Sequence, residues 1–170
     1  DRFRTQLKAM GEAYHEQNNI RILLPMVGSP KEVQQTRDLL RSVSPAEEDL
    51  PPLGVMVEVP SLLFLIPELS DIVDFLSIGT NDLTYYLLGA DRFEGYSVDS
   101  VDLPEPVLLR CIHHVVEETR DQTLPVGICG EIAGNPVFTP VFVGFGLSEL
   151  SMSPLKIPAV KLVASQCDRE

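Results

Sequence analysis

Glu58, the pair Asn81-Asp82 and Cys129 each follow a short apolar run of the kind that makes a buried strand. Glu58 ends the run Leu53 to Val57, where a bare carboxylate carries a large desolvation cost unless it reaches water or is matched by a cation. Thr80, Asn81 and Asp82 stand where a strand passes into a helix, so backbone N–H groups and a carboxylate meet at one spot. Such a spot can hold a metal and an anion together, or Asn81 or Asp82 can simply cap the helix of Leu83, Tyr86, Leu87 and Ala90. Cys129 lies between Gly127 and Gly130, which leaves a thiol at a strand end open from above, although most buried cysteines are inert. Two carboxylates at one end of a sheet suit a hard cation, and Mg²⁺ takes one or two protein carboxylates while keeping its other positions for water and substrate oxygens.

The elements that must position these groups follow from periodicity. Phe3, Leu7, Met10 and Tyr14 recur at helical spacing, and Asn18-Asn19 ends that helix. Arg21 to Met26 reads as the first strand. Ser29-Pro30-Lys31-Glu32 has the form of a capping box with Pro at the first helical position, ahead of a stripe of Val33, Leu39, Leu40 and Val43. Ser44 to Pro52 is a solvated linker on composition. Leu53 to Val59 is the second strand, followed by a helical return over Ser61 to Leu69 that Pro67 breaks. Val73 to Gly79 is the third strand, apolar enough to expect burial on both faces, with Gly79 bending the chain. Asp91 to Asp102 reads as a loop. Val107, Leu108, Cys111, Ile112, Val115 and Val116 mark the broadest helical stripe, and Leu124 to Cys129 is the fourth strand. Asn135-Pro136 opens a helical connection closed by Gly144 and Gly146. Leu150 to Met152 is the fifth strand, and Ile157 to Ser165 the last helix.

Strand and helix alternating five times make a parallel sheet with right-handed crossovers, which an open doubly wound sheet and a barrel satisfy equally well. In either, the C-terminal ends of the strands are where sites are built.

The bulk properties exclude several classes. A formal net charge of −12 argues against nucleic acid and anionic membranes as partners. The longest apolar stretch, Leu62 to Ile66, is too short to span a bilayer, so no membrane insertion is expected. Cys111, Cys129 and Cys167 are widely spaced, as reduced thiols of a cytoplasmic protein would be, and there is no signal peptide pattern. At 170 residues the chain falls short of the roughly 250 typical of a complete eight-stranded α/β barrel. It opens on Asp1 inside an apparent helix, the expectation for a piece of a longer protein.

Four ordered motifs carry a resemblance. Ser77-Ile78-Gly79-Thr80-Asn81-Asp82-Leu83-Thr84 with Asp91-Arg92 resembles the central signature of phosphoenolpyruvate-utilising enzymes, most closely the Enzyme I group of the bacterial phosphotransferase system. Gly54-Val55-Met56-Val57-Glu58-Val59-Pro60 is similar to the family's metal-binding strand, Gly127-Ile128-Cys129-Gly130-Glu131-Ile132-Ala133-Gly134 to its active-site cysteine segment, and Leu150-Ser151-Met152-Ser153 to its last strand. The match runs from about Ile20 to Lys161.

The resemblance implies an α/β fold that is part of a (β/α)8 TIM barrel, with residues 1–170 supplying the later strands of a phosphoenolpyruvate-binding domain. The early strands and a phosphohistidine domain would lie upstream. It implies Glu58 and Asp82 as ligands of Mg²⁺, Asn81 and Arg92 as substrate-binding residues, and Cys129 as the acid that protonates C3 of the enolate, steadied by Glu131. A thiol whose ordinary pKa is near ~8.5 stays protonated at neutral pH and still exchanges protons. The implied activity is phosphoryl transfer from phosphoenolpyruvate to an enzyme histidine and on to a phosphocarrier protein, with release of pyruvate. His15, His113 and His114 lie outside any context like that acceptor histidine, so this chain alone is expected to be inactive. The sequence departs from the family at Phe93-Glu94, where Gly-Asn is usual, and at Tyr85, where Gln is usual. A pyruvate phosphate dikinase or phosphoenolpyruvate synthase piece is the alternative, as is a non-catalytic regulatory homologue. Open sheet edges in a partial barrel imply a homo-oligomer.

Overall fold

The computed structural model describes residues 2–44, 46, 49–90 and 106–167. Five strands, β1 (Ile22–Leu24), β2 (Leu53–Val57), β3 (Phe75–Gly79), β4 (Val126–Cys129) and β5 (Glu149–Leu150), alternate with helices α1 (Arg2–Gln17), α2 (Pro30–Val43), α3 (Ile66–Ser70), α4 (Thr80–Leu88), α5 (Pro106–Thr119), α6 (Thr139–Phe145) and α7 (Ile157–Ala164). All pairings are parallel, and the spatial order is β1-β2-β3-β4-β5. A doubly wound sheet reverses its strand order at a switch point. Here the order never reverses, so right-handed crossovers put every connecting helix on one face of the sheet, as in a barrel wall.

A single ion pair reports the curl of that wall. Arg21, at the foot of β1, donates from Nη2 to Glu149 Oε2 at 2.7 Å, although Glu149 begins β5 at the far edge of the sheet. The guanidinium carbon lies 4.8 Å from the ring centre of Phe75, on the middle strand. Only a strongly curved sheet lets one arginine touch both the middle and the opposite edge.

The third strand is not buried on both faces as its composition suggests: Phe75 and Ser77 are only partly buried. One face of the sheet, Leu53, Val55, Val57, Leu76, Ile78, Val126 and Ile128, lies in the core with Val33, Leu40, Leu62, Ile112 and Phe142. The other face, on the concave side, carries Gly54 and, around a cavity of about 350 Å³, Met56, Phe75, Ser77, Gly127 and Cys129, small or partly exposed residues. Gly54 has no side chain because the Phe75 ring fills its space: a Cβ there would lie 2.4 Å from a ring carbon. At the foot of the sheet, Asp74 accepts from the Leu53 N–H at 2.7 Å and from Arg37 of α2 at 2.9 Å, so one carboxylate ties strand to helix.

Local signals were realised with changes. Ser29 is the N-cap of α2 with Pro30 next, but its hydroxyl donates to Glu32 Oε1 at 3.1 Å, and Glu32 reaches back to the Gly28 N–H instead of the Ser29 N–H. Pro67 does not break the return after β2. That segment is a 3₁₀ turn, Pro60–Phe64, and then α3, in whose first turn Pro67 stands, where a missing N–H costs nothing. Asn18 ends α1 in a left-handed conformation, φ 49°, as its position in the sequence suggests. The linker residues 45, 47 and 48 and the loop from Asp91 to Asp102 lie outside the described residues. No described helix is long and apolar enough to cross a membrane.

Candidate functional site

The site is built at the C-terminal ends of β2, β3 and β4. Val57 pairs with Ile78 and Gly79 with Cys129, so Glu58, one residue past β2, Gly79 and Cys129 fall in one row across the concave face. Glu58 is only 3% exposed, the one acid among the buried polar residues described. Its Oε1 accepts the backbone N–H of Met26, just past β1, at 2.7 Å. The carboxylate rests on Gly79: a Cβ added there would stand 2.7 Å from Glu58 Oε2. Gly79 has φ −86°, a conformation open to any residue, so its glycine serves the space the carboxylate needs and not the bend expected of it.

Beyond Gly79 the helix begins at once. Gly79 is the N-cap of α4 with no side-chain capping bond, so neither Asn81 nor Asp82 caps it. Both sit in the first turn, where an acid is favoured by the helix dipole. Asn81 Oδ1 accepts the Glu131 N–H at 3.1 Å, and Thr80 Oγ1 donates to the Cys129 carbonyl at 2.8 Å. Thr80, which the sequence places in the polar cluster without a role of its own, is 1% exposed. Its signal was the Gly-Thr-Asn order itself, but its partner lies 49 residues away in the chain.

Cys129 ends β4 on the concave face. Its Sγ lies 3.5 Å from the Ile78 carbonyl, to which it donates. Burial pushes this thiol above its ordinary pKa, a hydrogen bond from the Ser77 side chain pulls it back, and the Glu58 carboxylate adds to the rise. The fold therefore favours the protonated thiol. Glu131, in the 3₁₀ turn after Gly130, is paired with Lys156 Nζ from the turn after β5. Cys111 is on α5, as its stripe suggests, and is also raised by burial.

Mg²⁺ is tested by the donor set. A buried carboxylate seated in a cradle that a Cβ would fill, with a second carboxylate, Asp82, three residues beyond that cradle, offers hard oxygen donors. Among the described residues no group of three or more His, Cys, Asp or Glu could hold a metal, so a zinc-type cage is not built here. The residues fit a cation that leaves most positions to water and substrate. Arg92, with Phe93-Glu94, lies outside the described residues. The histidines have structural neighbours: His114 Nε2 is 2.9 Å from the Leu63 carbonyl, and His113 meets the Phe145 ring edge-on.

A curled, singly wound parallel sheet with its polar groups gathered at the strand C-termini defines an α/β-barrel type of protein. The fold is similar to that of a citrate lyase from Burkholderia xenovorans, whose crystal structure superposes with a TM-score of 0.63 at 16% identity over 85% of this chain and 48% of that one. The sequence profile of the family described as PEP-utilising enzyme, PEP-binding domain, matches residues 1–169, and the chain belongs to that family. It is 36% identical over 176 residues to a phosphoenolpyruvate-protein phosphotransferase of Haloferax volcanii, covering 99% of this chain and 31% of the relative. It is 35% identical to a phosphoenolpyruvate-dependent phosphotransferase system protein of Salmonella typhimurium, and 40% identical to a multiphosphoryl transfer protein of Rhodobacter capsulatus. These cover 99% and 98% of this chain but only 23% and 20% of the relatives. The chain thus spans between a fifth and a third of the length of these relatives.

Proposed function

We propose that this chain is the substrate-binding part of a phosphoenolpyruvate-protein phosphotransferase, in which the phosphoryl group moves from phosphoenolpyruvate to a histidine outside residues 1–170 and then to a phosphocarrier protein. The observation that carries this reading is the row of Glu58, Gly79 and Cys129: a buried carboxylate beside a thiol whose pKa burial raises, on a scaffold of the phosphoenolpyruvate-binding family.

Glu58 and Asp82 would hold Mg²⁺, which when bound neutralises the phosphate and carboxylate charge of the substrate. The Asn81 carbonyl oxygen is engaged by the Glu131 N–H, so the amide end offered to an anion is the donor, the end that suits a phosphate oxygen. Arg92 supplies a guanidinium fork to the same phosphate. When the P–O bond breaks and the phosphoryl group leaves, an enolate remains. Cys129 Sγ–H gives its proton to C3 of that enolate to form pyruvate, and the thiolate regains a proton from solvent. Burial keeps the proton on sulfur until it is needed, and the Ser77 hydrogen bond stabilises the thiolate that forms.

The test is phosphorylation of the full-length protein by phosphoenolpyruvate labelled in its phosphoryl group. Mg²⁺-dependent label on a histidine upstream of this chain is expected. Absence of label, or label unaffected by chelation of Mg²⁺, contradicts the proposal.

A further inference from the structure

Cys129 is followed by Gly130, whose backbone is unusual: φ 104°, ψ −179°, a region essentially reserved for glycine. This glycine is gripped from α4 on both flanks. Thr80 Oγ1 donates to the carbonyl of Cys129 before it at 2.8 Å, and Asn81 Oδ1 accepts from the N–H of Glu131 after it at 3.1 Å. The two side chains fill the space where a Cβ would stand, which would lie 2.2 Å from Thr80 Oγ1 and 2.7 Å from Asn81 Oδ1. Thr80 is itself fixed: it is 1% exposed, and its carbonyl accepts the Thr84 hydroxyl at 2.7 Å. From the other side, Lys156 holds the Glu131 carboxylate, and the Lys156 stem packs where a Cβ on Gly134 would stand, 2.4 Å from Lys156 Cδ.

The turn after the thiol is therefore held on three sides by Thr80, Asn81 and Lys156, while the sulfur itself donates to the Ile78 carbonyl and has Ser77 and Glu58 as neighbours. Fixing the Cys129 carbonyl and the next N–H fixes the peptide plane that follows Cys129, and with it the backbone from which the Cα–Cβ bond of the thiol projects. We propose that Thr80 is a positioning residue for Cys129, acting with Asn81 as a two-point clamp across Gly130. The inference rests on the reading of Cys129 as proton donor. It adds a consequence: Asn81 touches the proton-donor turn with one end of its amide and offers the other end to substrate, so the binding end of the site and the thiol move as one body.

The test uses full-length protein and two readouts. In D₂O, exchange of the pyruvate methyl protons reports the proton step alone, and alkylation of Cys129, followed by mass spectrometry of its peptide at one fixed pH, reports the thiol's setting without any turnover. Thr80→Val keeps the shape and removes the donor, while Thr80→Ser keeps the donor; Thr119→Val, a buried threonine on α5 whose hydroxyl donates within its own helix, controls for general loosening. Thr80→Val is expected to slow exchange about 10²-fold, the scale of loss that a small misplacement of a catalytic group produces. It should leave phosphoenolpyruvate affinity unchanged and change the alkylation rate of Cys129, with Thr80→Ser restoring both exchange and alkylation and Thr119→Val altering neither. Unchanged exchange and alkylation in Thr80→Val overturn the clamp, and so does equal loss in the Val and Ser variants. If wild type shows no exchange, the proton-donor reading fails, and the alkylation series still decides whether the clamp sets the thiol.

Discussion

A side-chain carbon on Gly79 would stand 2.7 Å from the carboxylate oxygen of Glu58 and 2.9 Å from its Cβ. One residue thus holds open the seat of another on the neighbouring strand. Gly79→Ala is expected to push Glu58 off its bond to the Met26 N–H and to destabilise the fold by about 1–3 kcal/mol, the cost of overpacking a tight site. Urea unfolding measures the loss. Gly130→Ala should cost at least as much, since it adds left-handed strain to a clash.

The two proposed metal carboxylates make a separate expectation. Glu58→Gln and Asp82→Asn keep shape and remove charge, so each should abolish Mg²⁺-dependent phosphoryl transfer in the full-length protein while leaving the circular dichroism spectrum unchanged. Retained Mg²⁺ dependence in either variant removes that residue from the ligand set.

Cys129 gives a pH expectation with a definite sign. Burial raises the thiol's pKa above the unfolded value, so the neutral form is favoured by the fold. That contribution to stability is whole below the unfolded thiol's pKa, near ~8.5, and is lost as pH rises through the higher folded value. Alkylation, which needs the thiolate, should therefore have its midpoint above that of a free thiol. Glu58→Gln removes a charge that raises the pKa and should lower the midpoint; Ser77→Ala removes the bond that lowers it and should raise the midpoint further. Reversed directions would show that these neighbours do not set the thiol.

The Arg21–Glu149 pair closes the foot of the curl, but both side chains are about half exposed, 51% and 52%. Its coupling energy, from a double-mutant cycle of Arg21→Met and Glu149→Gln in urea, is expected within the ~0.2–1 kcal/mol of exposed pairs and should shrink in high salt. A larger, salt-insensitive coupling would mean the pair is screened from water in solution.

Much of this arrangement was legible in the sequence because it is local. Each of the five strands was found within a few residues, and Glu58, Asn81, Asp82 and Cys129 stand at the strand ends that their apolar runs predicted. The choice between open sheet and barrel was not legible in the alternation, because both use the same crossovers; it is decided by strand order and by Arg21 reaching Glu149 across 128 residues of sequence. The roles of Gly79 and Gly130 were misjudged or missed for the same reason: each glycine is required by a side chain from a different strand or helix, Glu58 for one and Thr80 with Asn81 for the other. Burial on both faces was over-predicted for β3 because composition does not reveal that Phe75 and Ser77 line a concave surface.

That surface bears on association. Among the described residues the sheet has its edges at β1 and β5, and large apolar side chains stand clear of the fold, Leu155 at 94% and Phe64 at 79% exposed. Residues 1–170 expressed alone are expected to form a dimer or larger assembly and to lack phosphotransferase activity. A monomer by light scattering at low micromolar concentration would refute the first expectation.

The central claim is that Cys129 delivers a proton to the enolate of a phosphoenolpyruvate-utilising site, and it is tested most directly by following pyruvate release from the full-length protein in a cysteine panel. Cys129→Ala is expected to slow release by about 10²-fold or more, the scale of a lost general acid, while phosphoenolpyruvate affinity and Mg²⁺ dependence persist. Cys111→Ala, on the helix stripe, and Cys167→Ala, near the last helix, should stay active. Full activity in Cys129→Ala, or equal loss in all three variants, contradicts the assignment.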